Sequence, residues 1–189
     1  MSEKYKTHDK DKAYFVTFTI VEWLKVLQDD SAKMIIVEAI TYYQQHRGFV
    51  IYAYCIMPNH VHLIAQSDGS EILSAVLRDL KKYTSIELTK KLEIENTEQS
   101  KNVLTIFKNA GEKLKRIKKY KVWQDGNHPI VLYSNKFIWQ KLEYIHNNPV
   151  KYGLSECAEE YLFSSARNYA DLDHVLEVVL LTKELNTIM

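Results

Sequence analysis

The sequence predicts an α+β domain: one antiparallel sheet with helices packed on one face. Three observations predict it. Short runs rich in β-branched and aromatic residues alternate with longer runs whose apolar residues recur at helical spacing. Two of the short runs, 49–57 and 60–66, are separated only by Pro58-Asn59, which is turn chemistry, so they form a hairpin. The order is strand, helix, hairpin, helix, strand, helix, which is close to the split βαβ, ferredoxin-like layout.

Each element has a local reason. "AYFVTFTI" (13–20) is β-branched and aromatic and reads as a buried strand. In 31–47, Ile35, Ile36, Ala39, Ile40 and Tyr43 recur at helical spacing after the candidate cap Ser31. A second helix over 69–92 has Ser70 as its candidate cap. Its apolar face is Ile72, Leu73, Val76, Leu77 and Leu80. Residues 93–121 are polar and lysine-rich, with a helical pattern that breaks around Gly111. "HPIVLY" (128–133) is a short strand. The third helix, 134–149, is capped near Ser134 or Asn135 and stopped by Pro149. The chain therefore reads as a single domain over 1–189, with a lysine-rich insertion around 93–121 and a helical C-terminal tail.

Composition narrows the class. A net charge of +1 selects no partner by itself, so local clusters matter more. Two cysteines, Cys55 and Cys157, do not make a disulfide framework, and reduced thiols in a cytoplasmic protein are the simplest reading. The start, "MSEKYKTHDKDK", lacks the apolar stretch of a signal peptide. No apolar run approaches the roughly 20 residues that cross a bilayer.

Candidate chemistry sits in two places. In "MPNHVHLIAQ", His60 and His62 flank Val61 on a strand, so both imidazoles point to one face. Neutral, they can ligate one divalent metal. Read more simply, they are two partly exposed histidines near a turn. In "WQKLEYIHNNP", Ile138, Leu142 and Ile145 form a packing stripe, while Tyr144 and Asn148 lie four apart on a neighbouring face. An amide oxygen can complete a metal site begun by two histidines, and a phenol beside that metal can serve as a nucleophile. The plainer alternative is a half-buried tyrosine and a capping asparagine.

Between Phe107 and Trp123 lie Lys108, Lys113, Lys115, Arg116, Lys118, Lys119 and Lys121. Such cations hold phosphates, and the aromatic faces of Phe107, Tyr120 and Trp123 stack exposed bases; a solvated surface segment is the competing reading. Lys81 and Lys82 are weaker candidates for the same role. His128 is placed to approach the site as a DNA contact or a neighbour of the ligands. His146, two residues past Tyr144, is expected to point away to the surface.

Together these segments resemble a known family. "MPNHVHLIAQ" is similar to the HUH signature, and "EYIHNNPVKYGL" to the tyrosine segment, of single-tyrosine HUH transposases. The REP-associated tyrosine transposases are the closer match, because their tyrosine segment also runs on into Asn-Pro-Val-Lys and then a glycine. "AYFVTFTI", "LKKYTSIEL", "VWQDGNHPI" and "YLFSSARNY" also resemble that branch, so the likeness spans roughly 13–170. The resemblance implies metal-dependent cleavage and rejoining of single-stranded DNA, with His60, His62 and Asn148 as metal ligands and Tyr144 as nucleophile. It implies Mg²⁺ or Mn²⁺; imidazole ligands favour softer metals than Mg²⁺, and Mn²⁺ satisfies both arguments. It also implies a hairpin or repetitive palindromic target, and either a monomer or a homodimer. Two alternatives remain at this level: a relaxase or replication-initiator nuclease of the same HUH logic, and a non-catalytic nucleic-acid-binding module.

Overall fold

The computed structural model describes residues 12–112, 114, 119–127 and 129–182. Four strands form one antiparallel sheet: β1 (Tyr14–Thr19), β2 (Phe49–Ile56), β3 (His60–Ser67) and β4 (Ile130–Val131), in the order β2-β3-β1-β4. This is the ferredoxin-like order, and it puts the hairpin strand β3 beside β1 at the centre of the sheet.

Helices α1 (Asp30–His46) and α2 (Leu73–Glu95) cover one face. There Val16 and Phe18 of β1 and Val61 and Leu63 of β3 meet Ile36, Ile40, Val76, Leu77 and Leu80 in the main core. The expectation of helices on one face holds for this pair. The other face is also covered, by α4 (Asn135–His146). Its stripe Ile138, Leu142 and Ile145 packs on Phe15, Ala53, Cys55, Met57 and Ile64 in a second, smaller core. The two cores follow from period-two alternation. In β2 the alternation slips at a bulge between Ile51 and Ala53, so Cys55 and Met57 turn toward α4.

Several boundaries differ from the sequence reading. Asp29, one turn ahead of the apolar stripe, caps α1 by accepting from the Ala32 N–H at 2.9 Å, and Ser31 instead donates to Asp29. Helix α2 starts at Leu73 without a side-chain cap, because Ser70 belongs to the turn before it, where its N–H donates to Asp68. The described part of the lysine-rich segment up to Glu112 is largely helical. Asn96 ends α2 in the left-handed conformation, and α3 (Glu98–Glu112) follows, burying Leu104, Phe107 and Gly111. Ser134 caps α4 as expected, accepting from the Phe137 N–H. Pro149 does not stop the chain's helical course: it lies in the first turn of a short helix, α5 (Asn148–Lys151), where its missing N–H costs nothing.

Among the described residues of the tail, helix is confined to Ala158–Glu160 and α6 (Ala166–Tyr169), and residues 171–182 run without a helix along the outer side of β2, where the Val179 N–H donates to Ile51 O. Gly48 turns α1 into β2 at φ +58°, and a Cβ there would collide with the Asp68 carboxylate. Among the described residues no helix is long and apolar enough to cross a membrane.

Candidate active site

The second core leaves one end of the α4 face open to polar groups. His60 and His62 project there from β3, on the same side as Phe15 and Thr17 of β1, since Thr17 pairs with His62 and Thr19 with His60. Both histidines are buried, at 4% and 5% exposure, rather than displayed at a strand edge. Their rings lie 4.6 Å apart, centre to centre. Phe15 stacks on His62 at 5.4 Å.

Helix α4 brings Tyr144 over this pair. Its ring centre is 5.3 Å from that of His62 and 5.9 Å from that of Phe15, and the residue is 39% exposed. The continuation into α5 carries Asn148, buried, with Oδ1 3.3 Å from His60 Nε2. The four residues singled out from sequence thus come together, although 82 positions separate His62 from Tyr144 (144 minus 62).

Hydrogen bonds fix the ring orientation. Asn59 Nδ2 donates to Trp23 O at 3.3 Å, which turns Asn59 Oδ1 toward His60 Nδ1 at 2.7 Å. An amide oxygen only accepts, so His60 carries its proton on Nδ1 and presents a lone pair at Nε2. That lone pair faces Asn148 Oδ1, another acceptor. Two facing acceptors are relieved by a proton or by a cation. Burial disfavours the proton: it lowers the His60 pKa, with Asn148 opposing it. Burial also lowers His62 to about 3, helped by His60 and by the Lys141 ammonium. His62 Nδ1 is bonded to Thr17 Oγ1 at 2.9 Å, leaving Nε2 to face a ligand. Two neutral imidazoles oriented by outer hydrogen bonds, with an amide oxygen between them and the tyrosine, fit a divalent cation. The amide is essential to that fit: among the described residues no group of three or more His, Cys, Asp and Glu side chains is arranged to hold a metal.

His146 departs from expectation. It is not a surface residue: Nε2 lies 2.8 Å from Ser165 Oγ, its ring is edge-on to Tyr169 at 5.1 Å, and burial lowers it to about 4. It anchors α4 to the C-terminal segment. His146, His60 and His62 therefore resist protonation when folded and accept it near pH 6.5 when unfolded. Below that pH the unfolded chain binds more protons, so stability falls as pH drops from about 6.5 toward 4. Metal-free urea unfolding should show a loss of about 1 kcal/mol per pH unit for each of His62 and His146 over that window, with His60 adding in the same direction. A flat profile from pH 6.5 to 5 would contradict the buried, neutral imidazoles.

The expected DNA surface is only partly recognisable. Lys113, Lys115, Arg116, Lys118 and His128 lie outside the described residues. Trp123 is a core residue, not an exposed stacking face: it is 5% exposed and donates from Nε1 to Thr84 Oγ1 at 3.1 Å. Phe107 is buried with it. The described lysines of the block face acids, Lys119 with Glu93 at 2.7 Å, Lys121 with Asp125 at 2.7 Å and Lys108 with Glu112 at 3.9 Å. Lys81 holds the 124–127 loop through Gln124 O, Gly126 O and Asn127 Oδ1.

The nearer cations went unnoticed in the sequence. Lys141 Nζ and Lys151 Nζ lie 5.5 and 5.4 Å from the Tyr144 ring centre, and Lys141 also covers Phe15 at 4.7 Å. Lys141 is three residues before Tyr144 and Lys151 seven after it, so helical spacing alone marks their shared face. Thr17 had a signal too, at alternate positions from Phe15 on a strand expected to be buried.

The chain belongs to the IS200-like transposase family, whose model matches residues 11–120. That match includes both histidines and ends before α4. A Haemophilus influenzae protein assigned as a REP-associated tyrosine transposase is 26% identical over 168 residues, covering 87% of this chain and 85% of the relative. Among solved structures, the REP-associated tyrosine transposase bound to a REP hairpin superposes with a TM-score of 0.63 at 21% identity, covering 98% of this chain and 96% of that one. Both relatives carry the name of the branch that the sequence resembles.

Proposed function

We propose that this transposase cleaves and rejoins single-stranded DNA through a covalent bond to Tyr144. The observation that carries the reading is the meeting of Tyr144, from the helix layer, with His60, His62 and Asn148 over one buried patch. Tyr144 Oη attacks the scissile phosphorus in line. A tyrosyl O–P bond forms, the P–O3′ bond breaks, and the leaving 3′ oxygen takes up a proton while the phenol loses one. The product is a 5′-phosphotyrosine, and a second 3′-hydroxyl reverses the step on a different strand without ATP. His60 and His62 present lone pairs, Asn148 an amide oxygen, and Lys141 and Lys151 supply positive charge where an anionic phosphate approaches. His60, His62 and Asn148 would hold a divalent cation, Mn²⁺ or Mg²⁺, which would supply charge to offset that developing on the phosphate oxygens.

The DNA partner is inferred from the relative that binds a REP hairpin, and a hairpin with a single-stranded flank is the expected substrate class. The test is incubation of the chain with single-stranded hairpin DNA from the flanks of its own gene, with Mn²⁺, followed by a denaturing gel. A protein-linked strand is the expected product. No linked strand across several hairpins, with both metals, would favour a binding module without catalysis.

A further inference from the structure

Trp23 is one of several exposed aromatics among the described residues, with Tyr133, Tyr152 and Tyr42, and it is the indole among them. It is 59% exposed, on a segment that has no apolar surface need to display it. Its backbone is strained: Glu22 and Trp23 are consecutive non-glycine residues at φ 54° and 56°. Strain of this kind persists only where surrounding bonds impose it, and they do. The Ile20 N–H donates to Asn59 O at 2.9 Å, the Leu27 N–H to Pro58 O at 2.8 Å, and the Val21 N–H to Val122 O at 2.8 Å. Asn59 Nδ2 donates to Trp23 O, and the same Asn59 orients His60. The loop is thus bolted to the turn from which the histidine pair starts. Another exposed ring, Tyr152, at 64% exposure, lies 6.1 Å from that of His60, centre to centre, so an exposed aromatic face already borders the site.

We propose that Trp23 is a stacking platform for an unpaired base of the single-stranded DNA that reaches His60. The inference rests on the strand-cleavage reading above and adds a DNA contact to it. A nucleobase is the fitting occupant because the indole is flanked by exposed Glu22 and Lys25 and its apolar neighbours Leu24 and Val26 are partly buried against the core, so the ring offers a π face more than a broad apolar surface. Stacking tolerates any base, so Trp23 contributes affinity and holds the strand in place without selecting a sequence.

The test uses the full chain, EDTA and a short unstructured, labelled oligonucleotide, so that no cleavage occurs. Trp23→Asn removes the ring but tolerates positive φ, and should weaken binding about tenfold. Trp23→Phe keeps a ring and should bind nearly as the parent does. The parent's tryptophan emission should be quenched by the single strand, and that quench should be lost in Trp23→Phe. A blunt duplex of the same sequence should quench little. Parent-like binding by Trp23→Asn would overturn the proposal. So would an equal loss in Trp23→Phe, which would assign the effect to loop geometry, or a parent that does not bind the strand. The covalent-adduct experiment is independent of this one: either can fail while the other succeeds.

Discussion

Tyr144→Phe should bind single-stranded DNA about as well as the parent and form no protein-linked product. The substitution removes one oxygen from a ring that rests edge-on against Phe15 and His62, so the packing of α4 survives. The histidine pair and Asn148 keep their places. Only the nucleophile is missing, and losing a nucleophile costs at least about a thousandfold in rate. Water can still cleave slowly, but that product carries a free end and cannot be rejoined to a second strand. A labelled hairpin substrate on a denaturing gel separates the cases. A linked band that persists would point to another tyrosine. Tyr152 is then the first to examine, because it is exposed and tilts toward His60 at 6.1 Å.

The histidine variants should be as severe for a different reason. His60→Ala and His62→Ala each delete one of two imidazoles that face Asn148 and Tyr144. Metal-dependent cleavage should fall to background, and Mn²⁺ should not restore it after EDTA, whereas it should restore the parent. Both side chains are buried, so a cavity also costs stability, on the order of 2 kcal/mol for a ring stacked as His62 is on Phe15. His60→Gln and His62→Gln keep a polar group and more of the volume, and they separate loss of a ligand from loss of fold. A melting temperature near the parent's, with cleavage absent, is the expected pair of results. Cleavage at the parent rate in any of the four would remove the histidines from the site.

Much of this arrangement is legible in the chain because it follows from period. Alternation on 60–66 puts both histidines on one face, and helical spacing puts Tyr144 and Asn148 on another. The sequence order of elements yields the sheet. What period cannot convey is which layer covers which face. The bulge in β2 changes the side that Cys55 and Met57 take, and no local signal announces it. Burial of the histidines depends on α4, distant in sequence, as does the anchoring of His146 by Ser165. The charge run carries less than it promises. Of its described lysines, Lys119 meets Glu93 of α2 and Lys108 and Lys121 meet acids four residues on, while the cations beside Tyr144 are scattered singly along α4 and α5. Trp123, read as a surface aromatic because lysines precede it, fills the core through Phe18 and Thr84.

Because the sheet holds the histidines and the last main helix holds the tyrosine, the halves of the site leave the ribosome at different times. A nascent chain can fold the strands of the hairpin and α2 before α4 has been made. At that stage it carries the histidine pair and lacks Tyr144 and Asn148. On the proposed chemistry the chain is therefore inactive throughout most of its own synthesis, and a product truncated before α4 stays so. On that reading competence arrives only when Ile138, Leu142 and Ile145 dock on the finished sheet, and the folding of the late segment acts as a safety catch.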